Sequence, residues 1–208
     1  SLSKALAQEI LNIAKKSILE KDCFSIVLTG GQSVLSLYKI LSQADSNWDK
    51  WHIYISDERF LPVGHKDRND QIINEIWLDN STIPKKNIHF IKAELGLLEA
   101  RVEYENILRK IGKFDIVLLS MGEDGHIASL FSNHLYSEEQ NVVVEYNSPK
   151  LPKERISMSY KRLNNSYYMF KLIIGKLKRK SFEMSKKNTD LPFLQVKGKY
   201  ELLYINLN

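Results

Sequence analysis

Residues 114–131 read FDIVLLSMGEDGHIASLF, and the opening run, FDIVLLS, decides the fold. It is apolar almost throughout, broken only by Asp115 and the closing Ser120. An amphipathic strand would alternate. A strand covered on both faces need not, and such strands belong to parallel sheets lying between two layers of helices. The same pattern occurs in FSIVLT at residues 24–29, where Gly30-Gly31 ends it. Further strands are predicted at 51–56, 87–91, 142–146, 155–160, 167–174 and 199–205. Helical spacing separates them. It runs through Leu6, Ile10, Ile13 and Ala14, over 33–41, through Ile72, Ile73, Ile76 and Trp77, over 97–111 and over 175–187, with a short helical stretch ending at Phe131. Residues 57–68 read as a polar loop. Strands alternating with helices, undivided by linker or repeat, predict one α/β domain over 1–208. Its architecture is three-layer α/β/α with a largely parallel, Rossmann-like sheet.

Composition agrees with an ordinary globular chain. Of 208 residues, 43% are hydrophobic and 26% charged, enough apolar side chain to bury a core without cross-links. The single cysteine, Cys23, excludes an internal disulfide framework and fits a reducing compartment. Apolar residues 24–38 are interrupted by Gly30-Gly31-Gln32-Ser33, too short a run to span a membrane. The N-terminal helix carries Glu9 and no small-residue cleavage site, unlike a signal peptide. A cytoplasmic protein without a membrane partner is expected.

The net charge of +5 is unevenly placed. Residues 161–187 hold nine basic side chains and one acid, Glu183, leaving 21 basic and 24 acidic residues elsewhere. A basic segment can serve nucleic acid. This one lacks the interleaved aromatic stacking motifs of such proteins apart from Tyr167-Tyr168, which read as strand. No nucleic-acid partner is expected.

In open parallel sheets, ligands bind beyond the carboxyl ends of the strands. That rule selects the loops at 29–33, 56–68 and 121–129 and the turn at Gly175-Lys176. Gly30-Gly31-Gln32-Ser33 is either a tight turn with Ser33 as helix cap or a cradle for a phosphate on free amides. It is neither a P-loop nor a dinucleotide fingerprint, because the required further glycines are absent. Asp57-Glu58-Arg59 is either a solvated turn or a polar-ligand site in which Arg59 offers forked donors to an anion. Gly122-Glu123-Asp124-Gly125-His126 is the sharpest feature. Asp124 can fix the tautomer of His126, whose ordinary pKa of about 6.5 suits proton transfer near neutrality. The five histidines show no metal-ligand spacing, so no metal is expected.

At these residues the sequence resembles the 6-phosphogluconolactonase family over nearly its whole length. The matching elements are Leu28-Thr29-Gly30-Gly31, the run SDERFLP at 56–62, His65 with Asn69, and MGEDGHIASLF at 121–131. Ser148-Pro149-Lys150, Pro152 to Arg155 and Gly175-Lys176 complete them. The resemblance implies a sugar-phosphate isomerase/deaminase-like α/β fold. It further implies hydrolysis of 6-phosphogluconolactone to 6-phosphogluconate, the second step of the oxidative pentose phosphate pathway, with no cofactor. By matching position, His126 is the expected general base and Asp124 its orienting partner. Gly30, Gly31, Gln32, Ser33, Asp57, Arg59, Arg155 and Lys176 are the candidates for the phosphate and sugar oxygens. The remaining cations nearby, Lys178, Arg179 and Lys180, are expected on a solvated helix face.

Three positions depart from the family pattern. Gln32 stands where a hydroxyl ligand is usual, Arg68 where a serine precedes Asn69, and Ser132 where a proline follows Leu130-Phe131. Arg68 could supply a compensating charge to the phosphate. A related reading, a glucosamine-6-phosphate deaminase, needs a Phe-Asn-Glu run after the histidine loop. Ser129-Leu130-Phe131 stands there, with no acid before Glu138. A non-catalytic sugar-phosphate sensor need not keep Asp124 and His126. The expected partner is thus a small sugar-phosphate lactone, bound by a monomer or homodimer.

Overall fold

The computed structural model describes residues 1–187 and 189–208. Its main sheet has six strands, β1 (Phe24–Leu28), β2 (Trp51–Ile55), β4 (Ile88–His89), β5 (Phe114–Ser120), β8 (Ser166–Ile174) and β9 (Tyr200–Asn206). They lie in the order β4-β2-β1-β5-β8-β9, and every pairing is parallel. The two apolar runs that predicted a doubly covered sheet are its central pair, with Ile26 opposite Ile116 and Val27 opposite Val117. β5 begins and ends where the sequence places it. Its alternation shows both coverings. Asp115 faces helix α1 (Leu2–Lys21), where Ser17 Oγ and Lys21 Nζ donate to it. Phe114 faces the opposite side, beneath the Arg162 guanidinium of α5 (Tyr160–Asn164), 4.0 Å from the ring centroid. Helices α2 (Leu35–Ser42) and α3 (Asn69–Ile76) continue the first layer from α1, and α4 (Leu97–Leu108) belongs to the second. The α/β/α reading holds. Among the described residues no helix is long and apolar enough to cross a membrane.

The strands at 142–146 and 155–160 do not join that sheet. They form β6 (Val142–Glu145) and β7 (Arg155–Met158), which pair antiparallel in a second sheet of order β3-β7-β6. Its remaining member, β3 (Asp57–Arg59), opens the segment expected as a loop. Three consecutive charges tolerate a strand here because the buried Glu58 is satisfied. Its carboxylate accepts from the backbone N–H groups of Arg59, Asn69 and Asp70, capping the first turn of α3. Burial raises the Glu58 pKa, as does the nearby Asp70 charge, while the three N–H donors oppose the shift.

Two helical expectations also change, and one unexpected helix is added. Residues 127–131 form no helix, since Gly125 and Ala128 take positive φ (85° and 47°) and Ile127 bridges Leu130. The helix expected over 175–187 is a 3₁₀ turn at Lys176–Lys178 followed by α6 (Arg179–Ser185). A last short helix, α7 (Pro192–Gln195), starts on a proline suited to the first helical position.

Candidate active site

The strand order fixes where a ligand can sit. From β1 the chain winds outward through β2 to β4, and from β5 it winds the other way through β8 to β9. Loops leaving the carboxyl ends of β1 and β5 therefore diverge, opening a crevice at the switch point. A cleft of about 550 Å³ occupies it. Gly30, Gly31, Gln32 and Ser33 line the cleft after β1, Asp57 and Arg59 after β2, and His126 after β5. Arg155 and Lys176 line it as well. Asp124 does not line the cleft and reaches it only through its bond to His126.

The histidine loop is built tightly. Gly122 N donates to His126 O at 2.8 Å, and Gly125 N donates to Gly122 O at 3.1 Å. A side chain at Gly122 is excluded, because its Cβ would lie 2.1 Å from Cε1 and Nδ1 of the His126 ring. His126 Nδ1 shares a short hydrogen bond with Asp124 Oδ1, which leaves Nε2 as the ring nitrogen for other chemistry. Burial tends to raise the Asp124 pKa, but the hydrogen bond and charge of His126 outweigh it and hold the carboxyl down at about 2. The Phe131 ring lies against the imidazole, with centroids 4.6 Å apart. From outside, Ser181 Oγ of α6 donates to Glu123 O, and Phe193 N of α7 donates to Gly125 O at 3.1 Å.

Facing chemistry is cationic. Arg59, Lys150, Arg155, Lys176 and Lys178 line the cleft against only Asp57 and Glu123. At Gly31, φ of 94° turns the chain from β1 into the 3₁₀ turn Gln32–Val34 and then α2. The first amides of such a helix start lack intrahelical partners and point toward anions. Gly30 also permits close packing, since a Cβ there would meet Asn69 Oδ1 at 1.9 Å. Asn69, itself on the cleft wall, donates through Nδ2 to Asp57 O at 2.9 Å. Arg59 is anchored through NH1 to Asp67 O at 2.7 Å, and its buried Nε has no hydrogen-bond partner among the described residues. Arg155 is held by the carbonyls of Lys150, Leu151 and Pro152. The Asp57 carboxylate is buried and already accepts from Ser56 Oγ and Ser129 Oγ, at 3.0 and 2.7 Å.

Two cations differ from expectation. Lys178 is not on a solvated face. The 3₁₀ turn after Gly175 carries it inward, where Nζ donates to Ser33 Oγ at 2.8 Å and Ser120 Oγ at 2.9 Å. Burial pushes its pKa down to about 8, opposed by Glu123 and reinforced by Lys150. Lys176 lines the cleft but is solvent-exposed. The signal for Lys178 was its spacing, because three residues per turn brings position 178 back over the strand end after Gly175. Arg68 does not add charge to the cleft. It is buried and clamped by Asp70 at 2.6 Å and Glu94 at 3.1 Å. The basic segment 161–187 is likewise dispersed, with Arg162 and Lys171 buried and Lys178 turned into the cleft.

Among the described residues no three or more His, Cys, Asp or Glu side chains gather so as to hold a metal ion. The family model described as glucosamine-6-phosphate isomerases/6-phosphogluconolactonase matches residues 1–204. The 6-phosphogluconolactonase of Thermotoga maritima is 32% identical over 202 residues, spanning 96% of this chain and 91% of that protein. The chloroplastic 6-phosphogluconolactonase 3 of Arabidopsis thaliana is 32% identical over 203 residues, which cover 88% of this chain and 62% of the plant protein's length. The crystal structure of the Thermotoga maritima enzyme superposes with a TM-score of 0.92 at 30% identity, over 97% of this chain and 94% of that one.

Proposed function

The chain belongs to the family of glucosamine-6-phosphate isomerases and 6-phosphogluconolactonases, and from that membership we propose that it hydrolyses 6-phosphogluconolactone to 6-phosphogluconate. The observation that carries this reading is the Asp124-bonded His126, set on the wall of a cleft whose other charges are mostly cationic. A base beside an anion site fits a phosphorylated ester.

In this reading His126 Nε2 takes a proton from water as the water oxygen bonds to the lactone carbonyl carbon. Asp124 keeps the proton of Nδ1 in place and stabilises the imidazolium that forms. The tetrahedral oxyanion is stabilised by cations and amides of the cleft. Collapse breaks the bond to the ring oxygen, which takes its proton from His126 Nε2. The ring opens to the hydroxy acid, which ionises in water. Lys178, Arg59 and the amides of Gly30 to Ser33 are assigned to the phosphate. The doubly bonded Nζ of Lys178 retains one donor for it. Arg155 and the outer Lys176 are assigned to the remaining substrate oxygens. Asp57 serves by holding Ser129 and balancing the neighbouring guanidinium groups.

The test is an assay with freshly prepared lactone, coupled to oxidation of 6-phosphogluconate by its dehydrogenase, with spontaneous hydrolysis subtracted. Turnover well above the uncatalysed rate is expected. Ammonia release from glucosamine 6-phosphate without lactone turnover would place the chain with the isomerases instead. Tight binding of 6-phosphogluconate without either activity would make it a sensor.

A further inference from the structure

Asp124 restrains the His126 ring at one edge only. An imidazole held by a single hydrogen bond can still pivot about that bond, and a general base out of alignment by an ångström loses rate heavily. The face of the ring is covered by Phe131. What holds Phe131 lies outside the cleft. Its backbone N–H donates to Tyr136 Oη at 3.0 Å, and Tyr136 Oη donates in turn to Glu145 Oε2 at 2.5 Å. His134 Nδ1 lies 2.8 Å from the same carboxylate oxygen, and its ring flanks Phe131 on a further side at 5.9 Å. Glu145 is 4% exposed, and its other oxygen accepts from Asn147 N at 2.6 Å. On the sheet it pairs with Arg155, whose guanidinium carbon is 5.7 Å from the Phe131 centroid. Burial and the neighbouring carboxylate raise the Tyr136 pKa, so its oxygen remains a phenol that both donates and accepts.

We infer that Tyr136 and Glu145 are positioning residues for the hydrolysis, fixing the orientation of His126 through Phe131. The inference rests on the reading of His126 as the base. The brace sets the plane of the imidazole, as Asp124 sets its rotation within that plane. The Tyr136 hydroxyl touches none of the groups assigned to the phosphate, so its loss acts chiefly on turnover.

Tyr136→Phe removes one oxygen and keeps the ring. The expected result is a fall in kcat of roughly 5- to 10-fold, the size of one lost hydrogen bond, with KM and 6-phosphogluconate affinity changed less than about twofold. The proton on Cε1 of His126, followed by NMR, should shift as the ring current of Phe131 moves away. Glu145→Ala should reproduce both effects. Glu145→Gln, which keeps an oxygen for Tyr136, should restore most of the rate. Should Tyr136→Phe not fold, Phe131→Leu supplies the same two readings, with the oxygen network left intact. Wild-type kcat with an unmoved His126 resonance overturns the inference, as does a change confined to KM. Full activity in His126→Ala would instead remove the base reading on which the inference stands.

Discussion

Lys178 Nζ lies 2.8 Å from Ser33 Oγ, so the end of β8 is tied across β5 to the glycine turn that follows β1. The segment that looked most like a solvated charge cluster thereby supplies a half-buried cation to the cleft. Lys178→Ala is expected to raise KM for the phosphorylated lactone by about 10-fold or more, as for loss of a charge-assisted bond. Lys176→Ala should raise it by less than about fivefold, as for an exposed ionic contact. Steady-state kinetics of the two variants decide which lysine serves the phosphate.

The same lysine gives opposite pH dependences to binding and stability. Its pKa falls from 10.5 to about 8 in the folded protein. Above about 8 the empty site loses its ammonium charge, so KM should rise. Between about 8 and 10.5 the unfolded chain binds more protons at this group than the folded one, so its contribution to stability grows with pH. Urea unfolding and KM measured from pH 7 to 10 should show both trends, and Lys178→Met should flatten each.

His126→Ala is expected to lose about 10²- to 10⁴-fold in kcat while still binding 6-phosphogluconate. Asp124→Asn should lose a large part of the same factor with the fold unchanged, since the amide no longer enforces the tautomer. The pair also has a stability signature. The Asp124 pKa is lowered from 3.8 to about 2, so its contribution is complete above the higher value and lost as pH falls through the lower one. Acid titration of Asp124 in a His126→Ala background should move its midpoint upward.

Gly122→Ala tests the packing of the loop independently of its charges. A Cβ at 2.1 Å from the imidazole must displace it. Turnover should fall nearly as far as in His126→Ala, with product affinity preserved. Wild-type activity in this variant would mean that the ring position seen here is not the working one.

Arg68→Ala separates a structural cation from the catalytic ones. Removing a guanidinium that is 2% exposed and leaving Asp70 and Glu94 unpaired should cost about 2–4 kcal/mol of stability. KM should be unchanged. Chemical denaturation beside the lactone assay distinguishes this from a role in phosphate binding.

The central strands were legible because residues 24–28 and 114–120 are short, largely apolar runs without alternation and closely flanked by glycine, the pattern of a doubly covered strand. His126 was legible because its glycine-flanked loop directly follows such a strand. β3 was not, because the satisfaction of Glu58 depends on amides at Asn69 and Asp70, beyond any local pattern. Arg68 failed in a similar way, since its partner Glu94 is distant in sequence. Lys178 escaped for a subtler reason. Its inward direction follows from a 3₁₀ phase set by Gly175, whereas an α-helical reading directs the same lysine to solvent. The brace behind His126 joins Phe131 and Tyr136, in an irregular stretch with no period to read, to Glu145 at the end of β6.

Ser181 and Phe193 hold the histidine loop from α6 and α7, more than fifty residues after the loop itself. Synthesis runs from the N-terminus at about 5–20 residues per second. The loop therefore leaves the ribosome seconds before the segments that clamp it. Until they emerge, a nascent chain carries Asp124 and His126 without the outer contacts that fix their turn, so full catalytic competence is among the last properties this polypeptide acquires.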